Sequence, residues 1–395
     1  MTNNDIVIVA AKRTAMGAFQ GALSNQSATD LGAAAIRAIL YDTNIDPHRI
    51  DEVYMGCVLS AGLGQAPARQ AALKGGLDQA TACTTINKVC GSGMKAVMMA
   101  HDMIVAGSAK IVIAGGMESM SNAPYLLPKV RDGLRLGHHQ ILDHMFFDGL
   151  ENAEDRVLMG CFAELCADKY QLSRQQQDVY AKESVKRAIM AIDSMHFTKE
   201  ITPVLMKTRE GEISIAQDEQ PFNCKVEKIA KLKPAFRTEN GTVTAANSSS
   251  ISDGAAALML MTAANAAKLG LTPLARIVGH ASYAGVPAEF TTAPVGAIRQ
   301  LLEKINWSNS DVDLFEINEA FAVVAMAAIQ ELSLDAKKVN INGGACALGH
   351  PIGASGARLI VTLIHALKAH SLTKGIASLC IGGGEATAVA IELSS

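Results

Sequence analysis

Residues 35–53, AIRAILYDTNIDPHRIDEV, can be laid without a gap on residues 297–315, AIRQLLEKINWSNSDVDLF. No other feature narrows the possible folds as far, because self-similarity at an offset of 262 residues means that one supersecondary unit occurs twice. Each copy begins with helical periodicity, passes a polar turn (Asp46-Pro47 in one, Ser308-Asn309 in the other) and ends in an alternating apolar run that reads as a strand. At almost the same offset, Gly91–Lys95 parallels Ala354–Arg358, each opening a helix after a glycine-rich turn, the first of them expected to start near Met94. Two further apolar runs, 111–120 and 376–393, read as buried strands that end in consecutive glycines. A duplicated α/β unit with alternating strands and helices is the simplest account.

Composition agrees with that plan. Apolar residues make up 49% of the chain and aromatics only 4%, so the core must come from Ala, Val, Ile, Leu and Met, a mix suited to helices packed closely on sheets. The expected organisation is a first half over 1–120, completed by about 251–270, and a second half over 271–395. Between them, 121–250 has a different texture, with charge runs such as AEDR and SRQQQD, and reads as an inserted domain. Within it, 151–170 and the stretch from Leu172 to Ile192 read as amphipathic helices, the second with Ser173 as N-cap. The segment 124–139, with two prolines, three basic side chains and adjacent histidines, fits a solvated loop, an oligomer contact or a ligand cover.

The net charge of −3, with both signs interspersed, points to no nucleic acid or membrane surface as partner. No uninterrupted apolar run approaches the ~18 residues of a membrane helix, and MTNNDIVIVAAKRT leads straight into a strand-like run, so a cytoplasmic product is expected. Eight scattered cysteines with no CxxC pair predict neither a metal site nor a disulfide framework.

Reactive residues occur in four stretches: VCGSG around Cys90, EINEAF around Asn318, ALGHPIGASG around His350 and LCIGGGE around Cys380. A lone Cys or His is more often a packed core residue. All four, however, stand at strand ends or glycine turns, where α/β folds place their sites. A thiolate at Cys90 would meet free N–H groups and the positive end of the following helix, which lower a thiol pKa, and His350 could take its proton. Gly91, Gly93, Gly382, Gly383 and Gly384 would let backbone N–H groups reach a developing oxyanion. The dinucleotide fingerprint GxGxxG is absent after the first strand, where VAAKRT follows.

These residues carry a resemblance. CGSG at Cys90, NEAF at Asn318–Phe321, GHP at Gly349–Pro351 and CIGGG from Cys380 occur in the order found in thiolases, and over nearly its full length the chain resembles that family, of the acetoacetyl-CoA (acetyl-CoA C-acetyltransferase) type. The resemblance implies two βαβαβαββ halves in a five-layered αβαβα core with an inserted loop domain. It implies reversible Claisen condensation of two acetyl-CoA to acetoacetyl-CoA and CoA. Cys90 would be the acyl carrier, activated by His350, and Cys380 the group that moves the α-proton. Asn318 would hold a water that forms one oxyanion hole with His350, and the N–H groups of Cys90 and Gly382 would form the other. Ser249, Ala245 and Ala246 would face pantetheine, with Met159, Leu158, Phe290, Ala320 and Phe321 around the acyl group. Coenzyme A thioesters would be substrates, with no further cofactor and no metal, in a homotetramer joined through 124–139.

The chain departs from short-chain relatives at Leu158-Met159-Gly160, where those usually read HMG, and at Phe290, where a Met is common. The other readings are a broader-range 3-ketoacyl-CoA thiolase of fatty-acid or branched amino-acid degradation and an inactive CoA-binding scaffold. Cys380 in CIGGG argues against the fold-sharing ketoacyl-ACP synthases and against a Cys-His hydrolase.

Overall fold

A computed structural model describes residues 2–208 and 211–393. Strand β1 (Ile6–Thr14) is followed by α1 (Ala28–Thr43), β2 (Glu52–Gly56), α2 (Pro67–Lys74), β3 (Ala82–Ile86), α3 (Ser92–Val105) and β4 (Ile111–Ser119). Next come α4 (Met159–Lys169) and α5 (Arg174–Asp193), then β5 (Ser252–Thr262), β6 (Ala275–Ala284), α6 (Ala293–Ile305), β7 (Leu314–Ile317) and α7 (Ala322–Leu332). The chain closes with α8 (Ile352–Ala369), β8 (Lys374–Ile381) and β9 (Glu385–Leu393).

The repeat is visible in strand order. The first half runs β1-β5-β4-β2-β3 and the second β6-β9-β8-β7, so β1, β5, β4 and β2 have β6, β9, β8 and β7 as counterparts. Pairing agrees strand for strand: β2 with β4 and β7 with β8 are parallel, whereas β1 with β5 and β6 with β9 are antiparallel. The counterpart of β3 has shrunk to a single parallel bridge, Phe315 to Val339. Even the turns match: Asp46 caps a short 3-10 turn at Pro47–Arg49, and Ser308 does so at Asn309–Asp311. Among the described residues, the two sheets pair edge to edge at Val7–Arg276 and Ile8–Ala275.

Five layers follow from which faces are apolar. Helices α3 and α8 lie between the sheets in a core of Val97, Val112, Leu258, Ile360 and Val389. Helices α1 and α2 cover the outer face of the first sheet, and α6 and α7 that of the second. Helix α8 is, among the described residues, the one helix long and apolar enough to cross a membrane, and 83% of it is buried in this middle layer.

Glycine sets the spacing of that layer. A Cβ on Gly93 would stand 2.9 Å from the Ala357 backbone nitrogen, and one on Gly356 would stand 2.4 Å from that of Met94. The matched GSG and ASG motifs are thus where the two equivalent helices touch, and Gly93 serves this crossing rather than access to the site. In β4 the consecutive glycines do not end the strand as expected. Gly115 and Gly116 lie inside it, because a side chain there would press within 2.1 Å of the carbonyl oxygens of Ala256 and Gly353.

Two helix expectations shift. Helix α3 starts at Ser92. The segment 151–158 is a closed turn before α4, with Glu151 bridged to Leu158, the Asn152 N–H donating to the Val157 carbonyl at 2.8 Å, and Arg156 at φ +61°. Helix α5 does start after Ser173, which forms a reciprocal capping box with Gln176.

Candidate active site

The loops after β3, β7 and β8 and the start of α8 converge on a cavity of about 370 Å³ with a mostly apolar wall. Cys90, His350 and Gly382 line it, as do Leu158, Met159, Ala245, Ser249, Phe290, Ala320 and Phe321. Ala246, half-buried beside Ala245, is not part of this wall. Asn318 and Cys380 lie behind it, both fully buried.

Cys90 sits on a bend forced by Val89, a β-branched residue at φ +46°, in the left-handed region such side chains avoid. Ser92 holds the bend: its hydroxyl accepts the Lys88 N–H at 2.8 Å and donates to the Val89 carbonyl at 2.6 Å. Lys88 is in turn paired with Glu385 from the start of β9. Burial pushes the Cys90 thiol up to about 11, although the N–H groups of Gly382 and of Cys90 itself pull it down. The sequence led to the expectation of a lowered pKa. The dipole and N–H groups are there, but desolvation of the anion outweighs them.

His350 lines the same cavity as Cys90. Burial, reinforced by the Arg358 cation on α8, lowers its pKa to about 3, so the ring is neutral near pH 7. Its Nδ1 lies 2.5 Å from the Ser355 hydroxyl oxygen, and that hydroxyl sits 2.9 Å from the Pro351 carbonyl, which can only accept. Ser355 has one proton and gives it to Pro351, so it accepts from Nδ1–H, and Nε2 keeps the free lone pair. The Asn318 amide nitrogen stands 3.4 Å from Nε2 and 3.5 Å from Nδ1, so the Ser355 contact alone sets the tautomer. Ser355 is the repeat partner of Ser92: one serine fixes the Cys90 bend and its counterpart fixes the proton of the His350 ring.

Cys380, near the end of β8, packs with Phe162, Phe290 and Phe321. Burial first, then the neighbouring Cys90 sulfur, pushes its thiol well above the usual range. Asn318 follows β7 and donates its N–H to the Ser378 carbonyl at 3.0 Å. Its Oδ1 is buried with no hydrogen-bond partner among the described residues.

Three supports escaped the sequence reading. Glu319 of NEAF is anchored from below by Tyr180, Ser184, Asn340 and the Cys346 N–H. Glu118, buried at the end of β4 and raised toward about 7 by burial, accepts the N–H groups of Val58, Leu59 and Gly353, tying the halves together under the cavity. A carboxylate closing an otherwise apolar strand was the signal for it. Phe236 on the cavity wall covers Gly160, where any Cβ would strike its ring at 2.3 Å, and nothing in the local pattern announced it.

Residues 6–264 match the family description "Thiolase, N-terminal domain" and 271–393 match "Thiolase, C-terminal domain". The chain is 51% identical over 389 residues to an acetyl-CoA acetyltransferase of Pseudomonas aeruginosa, covering 98% of this chain and 99% of that one. It is 47% identical over 394 residues to the enzyme of that name from Schizosaccharomyces pombe, covering 99% and 100%. The crystal structure of the Bacillus anthracis acetyl-CoA acetyltransferase superposes with a TM-score of 0.96 at 42% identity, over 100% of both chains.

Proposed function

This chain belongs to the thiolase family, and from that premise we propose how its cavity carries out acetyl-CoA acetyltransferase chemistry, the activity named for its relatives. The observation that carries the reading is that Cys90 and the neutral His350 line one cavity, with the Gly382 N–H at the Cys90 sulfur and the protonated Cys380 thiol buried next to Cys90.

In the first half-reaction the Cys90 sulfur attacks the thioester carbonyl of acetyl-CoA and its proton passes to Nε2 of His350. The oxyanion forms against the N–H groups of Cys90 and Gly382. The carbonyl re-forms, the C–S bond to CoA breaks, and the leaving sulfur takes the Cys380 proton, which leaves an acetyl-Cys90 thioester and a Cys380 thiolate. In the second half-reaction that thiolate removes an α-proton from another acetyl-CoA. The enolate oxygen is held by His350 and by a water donating to Asn318 Oδ1, the orphan acceptor. The enolate carbon attacks the acetyl group, the Cys90 sulfur departs, and it recovers its proton from His350. The enzyme's protonation state is restored: Cys90 recovers its own proton, and Cys380 gains the α-proton in place of the one it gave to CoA. Separate carrier and base are what carbon–carbon bond formation requires.

Ser249, Ala245 and Ala246 face the pantetheine arm in this reading, and Met159, Leu158, Phe290, Ala320 and Phe321 bound the acyl group. The exposed apolar side chains of 124–139, among them Tyr125, Leu127, Val130 and Leu136, support a contact between dimers of a cytoplasmic homotetramer, testable by light scattering on a chain lacking that loop. The catalytic reading is tested by intact-mass analysis after mixing with acetyl-CoA, together with steady-state thiolysis over 3-ketoacyl-CoA chain lengths. Acetylation that disappears in Cys90→Ala, with turnover on acetoacetyl-CoA far above that on 3-ketohexanoyl-CoA, is expected. Unchanged turnover in Cys90→Ala overturns the mechanism, and comparable rates on longer chains overturn the short-chain specificity.

A further inference from the structure

A second cluster of chemistry-bearing side chains lies away from the cavity. His101 and Asp102, near the end of α3, meet His280 from the middle of β6. His101 Nδ1 stands 3.0 Å from Asp102 Oδ1, His280 Nε2 stands 2.9 Å from the same oxygen, and the two ring nitrogens are 3.3 Å apart. The rings are edge to face, with centroids 4.9 Å apart at 85°. Two imidazole nitrogens from opposite halves of the molecule thus converge on one carboxylate oxygen and on each other.

Those separations have a chemical meaning. An ion that binds imidazole nitrogen and carboxylate oxygen at about 2.0–2.1 Å holds neighbouring donors roughly 2.9–3.4 Å apart in octahedral or tetrahedral geometry. All three distances here fall in that span. We propose that His101, Asp102 and His280 form a binding site for one imidazole-preferring divalent cation, of the Zn²⁺, Ni²⁺ or Co²⁺ class, that joins α3 of the first half to β6 of the second.

The donor set favours these ions over Mg²⁺ and Ca²⁺, which want oxygen ligands. Asp102 is 59% exposed, which gives an ion entry from solvent and leaves coordination positions for water. Lys304, whose ammonium donates to the His280 carbonyl at 3.1 Å, opposes the bound charge and argues for moderate affinity. The site lies about 15 Å along α3 from the Cys90 bend, at ~1.5 Å per residue. It is therefore a staple between the halves and takes no part in the acyl chemistry. Among the described residues the strands of the two sheets pair directly at two positions, so the site adds a link at the far end of α3 to the α3–α8 packing and the Glu118 contacts that already join the halves.

The experiment is titration of the reduced, metal-free full-length protein with Co²⁺, followed by visible absorption and calorimetry, with a thermal melt at each metal concentration. One equivalent should bind with ligand-field bands and no thiolate charge-transfer band, and the melting temperature should rise with metal. Asp102→Asn and the double variant His101→Ala/His280→Ala should each weaken binding about tenfold or more and abolish the thermal shift. Asp102 is exposed, so D102N should melt like the wild type without metal, which separates loss of a ligand from loss of the fold. Absence of binding up to millimolar Co²⁺ or Zn²⁺, equal binding in the double variant, or a thiolate charge-transfer band on the bound ion would each overturn the proposal.

Discussion

Replacing Ser355 by Ala should slow the enzyme without loosening its hold on substrate. The serine is fully buried in the first turn of α8 and forms no part of the cavity wall, so substrate contacts are untouched. What is lost is the acceptor for His350 Nδ1–H, because the 2.5 Å contact is the polar partner on that side other than the Asn318 amide nitrogen, which can only donate. A buried N–H left without an acceptor costs about 1–3 kcal/mol. The ring escapes this by moving its proton to Nε2, the nitrogen that receives the Cys90 proton in the proposed mechanism. The productive tautomer then becomes the minor one, and at a factor of ten per ~1.4 kcal/mol kcat should fall about 5- to 150-fold with KM within about twofold. Two measurements check this: thiolysis of acetoacetyl-CoA across substrate concentrations, and ¹⁵N chemical shifts of the His350 ring in both proteins. A kcat within twofold of wild type, or a ring still protonated at Nδ1 in the variant, would refute the reasoning. A loss carried by KM instead would assign Ser355 to packing alone.

Other expectations follow from the same geometry. Alkylation of Cys90 by iodoacetamide should climb steadily between pH 7 and about 10, as a thiol near 11 requires, and a plateau at neutral pH would contradict the burial argument. His350 is neutral in the fold but takes a proton near 6.5 when unfolded, so the unfolded chain binds more protons below that value. Its contribution to stability is full above about 6.5 and is lost toward about 3, by roughly 1.4 kcal/mol per pH unit, a slope that urea titrations should find reduced in His350→Asn. Gly382→Ala should fold and melt normally, since a Cβ there meets nothing nearer than 3.6 Å. Gly384→Ala, at φ +87° and 2.7 Å from the Gly285 carbonyl oxygen, should lose about 1–3 kcal/mol or more in denaturant titrations. Asp218→Ala removes the carboxylate that grips the buried Arg13 with both oxygens and leaves Glu200 as its one remaining acidic partner among the described residues, so it should cost about 3–5 kcal/mol, whereas an unchanged unfolding midpoint would mean that Glu200 alone satisfies the guanidinium.

Much of this architecture was legible because it is written twice. The 35–53 and 297–315 copies predicted two equivalent helix–turn–strand units, and the structure returns α1 with β2 and α6 with β7 in matching sheet positions. Ser173 announced its helix because a cap is a local interaction between residues three apart. Glycines were harder to read. Gly115 and Gly116 look like a strand end in sequence, yet sit inside β4, since the reason for them is a carbonyl on another element 2.1 Å from a missing Cβ. Helix α4 begins later than the amphipathic pattern of 151–170 implies, because the turn that delays it is closed by a backbone bond from Asn152 to Val157 that periodicity does not record.

At the site the division is sharper. The sequence alone determined which side chains are chemically able: two cysteines, a histidine and an asparagine, each on a glycine turn or strand end, in an order with little packing rationale. It also determined that they come from both copies of a repeat, and therefore meet only if the copies face one another. Tertiary structure decided their protonation. Helix polarity alone argues for a reactive Cys90 thiolate, but pKa depends on everything within several ångströms, and burial between two sheets reverses the sign. It likewise decided which nitrogen of His350 holds its proton, through a serine whose importance lies in a 2.5 Å contact. Local sequence encodes turns, caps and strands because those are short-range. Desolvation of Cys90 is set by groups brought together from both halves of the chain, and the His350 tautomer by a buried contact to Ser355 that forms only once α8 is folded and packed.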